Sequence, residues 1–192
     1  IMIPGPRYYV AEQGVIRSQT GSDEGGHIDV VWANAFGVDA ATIGNHELDL
    51  GTGNFYDAAF QVESRDGNTF PGSEFPWLSA NIDFSEDGDF GDIISPDGLL
   101  TTDIENSVAK SAVAIVNGER IGLVGAASPV FPTITSVGNL GFSPQPNFTI
   151  EELAAEIQPA IDELRLDGIN KIVLISHMQQ ISIEKDLAET LD

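Results

Sequence analysis

Residues 38–49 read Val38-Asp39-Ala40-Ala41-Thr42-Ile43-Gly44-Asn45-His46-Glu47-Leu48-Asp49. A short apolar run of strand type ends at Ile43, and Gly44 releases the chain into a loop that carries an amide, an imidazole and two carboxylates. Upstream, Ile28, Val31, Trp32, Ala35 and Phe36 fall on one helical face, with Gly37 as the stop. Downstream, Thr52 is placed to cap a helix whose apolar side is Phe55, Ala58, Ala59 and Val62. The stretch is thus the turn of a βα unit. Its polar residues leave the carboxyl end of a strand, which is where open α/β sheets place their sites.

The alternation continues. Trp77 to Ile82 reads as a strand, and the Gly- and Asp-rich stretch from Asp83 to about residue 107 reads as an acidic surface loop. Lys110–Val116 and Arg120–Gly125 are strand-like runs joined by Asn117-Gly118, the pair that a tight hairpin turn favours. Pro129 to Pro146 reads as a long connection. Thr149 and Glu152 form a capping box for a helix striped by Ile150, Leu153, Ala154, Ile157, Ile161 and Leu164. Pro159 is expected to kink or split that helix, and Gly168 to end it. Lys171 to Ser176 is a further strand, and it delivers His177 to its carboxyl end.

The 192 residues suffice for one domain with a real core, and the apolar content of 42% supports a globular fold. Acidic residues number 30 against 8 basic ones, for a net charge of -22. That potential repels phosphate polymers, so a nucleic-acid polymer is not an expected partner, and a small anionic substrate would need bound cations. Cysteine is absent, which excludes disulfides and thiolate zinc sites. No apolar run approaches the ~20 residues of a membrane span. Nothing in the pattern sets an oligomeric state.

Of the three histidines, His27 reads as an exposed helix-start residue, whereas His46 and His177 both follow strands. An amide oxygen beside an imidazole suits a hard or borderline divalent metal, so Asn45 and His177 are candidate ligands of one ion. His46 would then face the substrate, donating a proton to a leaving oxygen or stabilising charge on a phosphoryl group. Asp49, three residues on, would orient its ring. The plainer alternative is that Asn45 and Asp49 only satisfy turn backbone groups.

Gly44-Asn45-His46-Glu47-Leu48-Asp49 resembles the Gly-Asn-His-Glu-Phe-Asp motif of the calcineurin-like metallophosphoesterases, in particular their 5'-nucleotidase branch, with Leu48 in place of Phe. Trp77-Leu78-Ser79-Ala80-Asn81-Ile82 resembles that branch's next strand, and Ile175-Ser176-His177 its later Ser-His motif. The resemblance implies an α/β fold, a four-layer αββα sandwich. It implies hydrolysis of phosphate monoesters, nucleotides above all, by water activated between two divalent metals (Mn, Zn, Mg, Fe or Co). On that basis Asn45 and His177 are metal ligands, His46 stabilises the transition state, and Asp49 orients it.

The family's Asp-x-His, upstream Gly-Asp and downstream Gly-His-x-His motifs do not occur here, although Pro4-Gly5-Pro6 resembles the residues after the Gly-Asp motif. The expectation is therefore that residues 1–192 form part of one catalytic domain, incomplete at both ends and inactive or nearly so alone. Substrate choice would rest in a C-terminal domain outside them. A cyclic-nucleotide or other phosphodiesterase would use the same loop. A non-catalytic calcium-binding surface module is a further alternative, since Asp83, Ser85, Asp87, Gly88 and Asp89 approach a calcium loop whose twelfth position is Ile94 rather than Glu. The branch's habits and the acidity together favour an extracellular or periplasmic setting.

Overall fold

A computed structural model describes residues 26–60, 62–63 and 69–192. The similarity at Pro4-Gly5-Pro6 lies outside them. The first helix among the described residues, α1 (His27–Ala35), is followed by β1 (Ala41–Thr42) and α2 (Thr52–Ala59). β1 is shorter than its apolar run because only Ala41 and Thr42 pair, in parallel with Trp77 and Leu78. Three expectations are corrected here. The cap of α2 is Gly51, and Thr52 is already helical; Val62 lies beyond the helix in β2 (Val62–Glu63), paired with β3 (Thr69–Phe70). His27 is not exposed: its ring is buried, stacked on Phe70 at 3.7 Å, with Nε2 2.6 Å from the Asp57 carbonyl oxygen.

Trp77 to Ile82 is not one strand. It divides into β4 (Trp77–Leu78) and β5 (Ile82–Asp83), which belong to different sheets. The break has a cause in Ala80, whose N–H donates to the Gly125 carbonyl at 2.8 Å, and in Asn81, whose side chain brackets Ala127. The chain thereby leaves its first sheet.

β1, β4 and β6 (Val108–Ala109) form a parallel sheet in the order β1-β4-β6. A second sheet has the order β10-β8-β7, with β7 (Ser111–Val116), β8 (Glu119–Ala127) and β10 (Ile172–His177). β8 runs antiparallel to β7 and parallel to β10. The β7–β8 hairpin turns through Asn117 (φ 52°) and Gly118 (φ 83°), as Asn-Gly predicts.

Alternation along the strands sets the layers. Trp77 and Val108 face α1 and α2 in one core, while Leu78 and Ala109 face Ala112, Ala114 and Leu123 between the sheets. Val113, Val124 and Ala126 point the other way, onto α4 (Ile150–Leu166) and α5 (Ile181–Thr190). Helices, sheet, sheet and helices are therefore stacked in that order, the expected αββα arrangement. Among the described residues no helix is long and apolar enough to cross a membrane.

The capping box of α4 forms in both directions: Glu152 N donates to Thr149 Oγ1 (3.2 Å), and Thr149 N to Glu152 Oε2 (2.8 Å). Pro159 neither splits nor ends the helix, which runs for 17 residues. Pro159 and Ala155 both lie on the exposed face, so the carbonyl that Pro159 leaves without a helical donor is open to water. Burial of Leu153, Ala154, Ile157, Ile161 and Leu164 opposes a break. Replacing Thr149 with alanine is expected to cost about 1 kcal/mol of stability. A urea midpoint unchanged by that substitution would show the box to be idle.

The acidic stretch after Asp83 is more than a surface loop, because Phe84, Phe90 and Ile104 anchor it in the cores. Asp87 is buried and accepts the N–H groups of Asp89 (3.1 Å) and Asn139 (3.2 Å). Asp83 accepts from Ser85 N (2.9 Å), a bond that holds its carboxyl below the usual range. These carboxylates serve turns, and the calcium-loop reading gains no support. The connection from Pro129 to Pro146 also contains structure: α3 (Phe131–Ile134) and β9 (Gly141–Phe142), which pairs with β5.

Candidate active site

Both sheets end at the same place. After β1, residues Asn45–Leu48 wind into a single 3₁₀ turn closed by Glu47, whose buried carboxylate accepts the Gly44 N–H at 2.8 Å. A side chain at position 44 would crowd both Glu47 and His177. A Cβ there would sit 2.7 Å from Glu47 Oε2 and 3.1 Å from His177 Nδ1. His177 is the last residue of β10, in register with Ala127, and its carbonyl accepts the Ser128 N–H at 3.0 Å.

Across that gap the Asn45 Oδ1 and His177 Nε2 atoms stand 3.0 Å apart, although 132 residues separate them in sequence. Asn45 belongs to the loop after the first sheet and His177 to the second sheet, so sheet packing brings them together. The Gln179 side chain completes the group, with its Nε2 donating to Asn45 Oδ1 at 2.6 Å.

The second pair is local. His46 Nδ1 lies 2.7 Å from Asp49 Oδ2, and the two side chains are 45% and 32% exposed, so the ring is open to a ligand in solution. A carboxylate at Nδ1 fixes the proton on that nitrogen and turns Nε2 toward other work.

The segment around α3 holds this loop from the side. Thr135 Oγ1 lies 3.1 Å from the Asn45 carbonyl oxygen and 3.3 Å from Asp49 Oδ1, so its one hydrogen serves either acceptor. Ser136 N donates to Leu48 O at 3.2 Å. The buried Phe131 ring meets the His177 ring edge-on at 5.7 Å.

All four residues singled out from sequence, Asn45, His46, Asp49 and His177, therefore stand at the carboxyl ends of strands, in two hydrogen-bonded pairs. His27 is elsewhere, buried at the start of α1. Sequence reasoning missed Thr135, Phe131 and Gln179. Only Gln179 carried a signal, its place two residues after His177. Among the described residues no group of three or more His, Cys, Asp or Glu side chains is arranged to hold a metal.

No family model matches the chain. A 5'-nucleotidase of Mus musculus is 29% identical over 144 residues, which is 75% of this chain and 20% of the relative. The chain thus spans about a fifth of the length of the curated relatives it matches. Among solved structures, a 5'-nucleotidase precursor from Thermus thermophilus superposes with a TM-score of 0.57 at 27% identity, over 84% of this chain and 25% of that one. A calcineurin-like phosphoesterase from Bacillus subtilis, at 19% identity, shares the fold with a TM-score of 0.51 over 92% of this chain and 46% of its own.

Proposed function

We propose that this relative of the 5'-nucleotidases, with the calcineurin-like phosphoesterase fold, is part of one catalytic domain that hydrolyses phosphate monoesters with the help of divalent metal ions, its substrate a nucleotide. The observation that carries the reading is the convergence of Asn45 and His177 from two sheets beside the exposed His46–Asp49 pair.

The donors fit an ion. A neutral amide oxygen and an imidazole nitrogen suit Mn, Zn, Fe or Co, and their 3.0 Å separation is that of adjacent ligands with bonds of about 2.1 Å. Divalent ions, when bound, polarise phosphoryl oxygens and lower the pKa of a water. The chain's own residues do the rest. Asn45 and His177 act as ligands. His46 offers its ring to the phosphoryl group or gives a proton to the leaving oxygen from Nε2. Asp49 keeps the Nδ1 proton in place, and Thr135 steadies Asp49.

With a net charge of -22, an anionic substrate is repelled until cations are bound, so the metals also recruit. An exported setting, extracellular or periplasmic, belongs to the same proposal. The test is hydrolysis by the natural chain that carries this sequence, assayed with Mn²⁺ on AMP and on a cyclic nucleotide, before and after chelation. Turnover of AMP that is lost with chelator and restored by Mn²⁺ is expected. Turnover indifferent to chelation, or confined to the cyclic nucleotide, would overturn the reading.

A further inference from the structure

Gln179 is a non-glycine residue held at φ 68°, a left-handed conformation that L side chains seldom adopt. Its carboxamide reaches back over the strand end. Nε2 donates to Asn45 Oδ1 at 2.6 Å and lies 3.4 Å from His177 Nε2. The Asn45 oxygen has two lone pairs, and the Gln179 amide and the His177 ring stand within hydrogen-bond distance of it, at 2.6 and 3.0 Å.

An ion arriving between Asn45 and His177 replaces the 3.0 Å contact between them, so His177 must present a lone pair where it now faces an acceptor, and the Gln179 amide, 2.6 Å from the same oxygen and 3.4 Å from the His177 nitrogen, crowds the position it would take. Gln179 is exposed, and its neighbour Met178 is buried, so the side chain is free to swing while the backbone at its root is fixed. We infer that Gln179 is a latch on the Asn45–His177 pair: it holds the two donors together without an ion, competes with the ion for Asn45, and is released on binding. Gln179 therefore sets ion affinity without being a ligand. The inference rests on the reading of Asn45 and His177 as ligands.

The experiment is Mn²⁺ binding to the natural chain, followed by electron paramagnetic resonance or calorimetry with no substrate present. Gln179→Gly removes the latch and suits the backbone angle; it is expected to tighten Mn²⁺ binding about 3- to 10-fold, the worth of one neutral hydrogen bond. Gln179→Asn tolerates the same angle with a side chain one methylene shorter, and should shift affinity in the same direction. Gln179→Glu places an anionic oxygen where the amide was and should tighten binding more than Gln179→Gly.

Asn45→Ala separates the two ideas. If Asn45→Ala abolishes binding and Gln179→Gly leaves it within twofold of wild type, the latch is wrong and the ligands stand. Asn45→Ala binding like wild type overturns the ligand reading and the latch with it. A wild-type chain and a Gln179→Gly chain that both show no saturable signal overturn both as well.

Discussion

Replacing His46 with alanine is expected to lower turnover of a phosphate monoester about 10²- to 10⁴-fold, the usual worth of a positioned proton donor or charge stabiliser. The geometry makes the prediction sharp, because His46 is exposed at the rim and the one described hydrogen bond of its ring is to Asp49. Removing it leaves Asn45 and His177 untouched, so Mn²⁺ affinity should stay within about twofold of wild type, a difference well below the ~1.4 kcal/mol of a tenfold change. Asp49→Asn should cost less, about tenfold, because it misorients the ring without deleting it. If His46→Ala keeps a third of the wild-type rate, or loses its metal, the role assigned to this ring is wrong.

The second large effect is on stability. Gly125 of β8 lies where the two sheets touch, and a Cβ there would clash with the Leu78 carbonyl and sit 2.6 Å from Leu78 Cβ. The neighbour is backbone, so no rotamer change makes room. Backbone bonds also tie the spot: Gly125 O accepts from Ala80 N at 2.8 Å, and Gly125 N donates to Lys110 O at 3.2 Å. Gly125→Ala must therefore push the sheets apart or twist β8. We expect a loss of about 3 kcal/mol or more, at the upper end for overpacking and a large share of the ~5–15 kcal/mol that holds a domain. Equilibrium urea unfolding measures it, and an unshifted midpoint would show that the sheets approach less closely than described.

What could be read from sequence was what is decided locally. The Asn117-Gly118 hairpin and the Thr149–Glu152 box each need only neighbours in the chain, and both form as read. The Asn45, His46 and Asp49 loop is equally local, and its place after β1 follows from a short apolar run. What was lost depends on distant partners. His27 is polar and opens a helix, and its burial rests on distant partners, the ring of Phe70 and the Asp57 carbonyl among them. Trp77–Ile82 has an unbroken strand pattern, and its division is imposed by Gly125, Ala127 and Ser143 from across the fold. Thr135 sits in a Pro-containing connection that has no periodic signal, yet it touches the candidate site.

The Asn45–His177 contact spans the seam between the two sheets, and Thr42, at the end of β1, stitches the same seam, its hydroxyl between Leu78 O (3.0 Å) and Ala126 O (3.4 Å). If Asn45 and His177 hold an ion as proposed, its affinity and the packing of the sheets are coupled. On the proposed metal reading, an ion seated there would act as a rivet that raises the melting temperature with the logarithm of its concentration, and a substitution in the inter-sheet layer of Leu78, Ala112 and Leu123 that shifts one sheet against the other would change metal affinity as well.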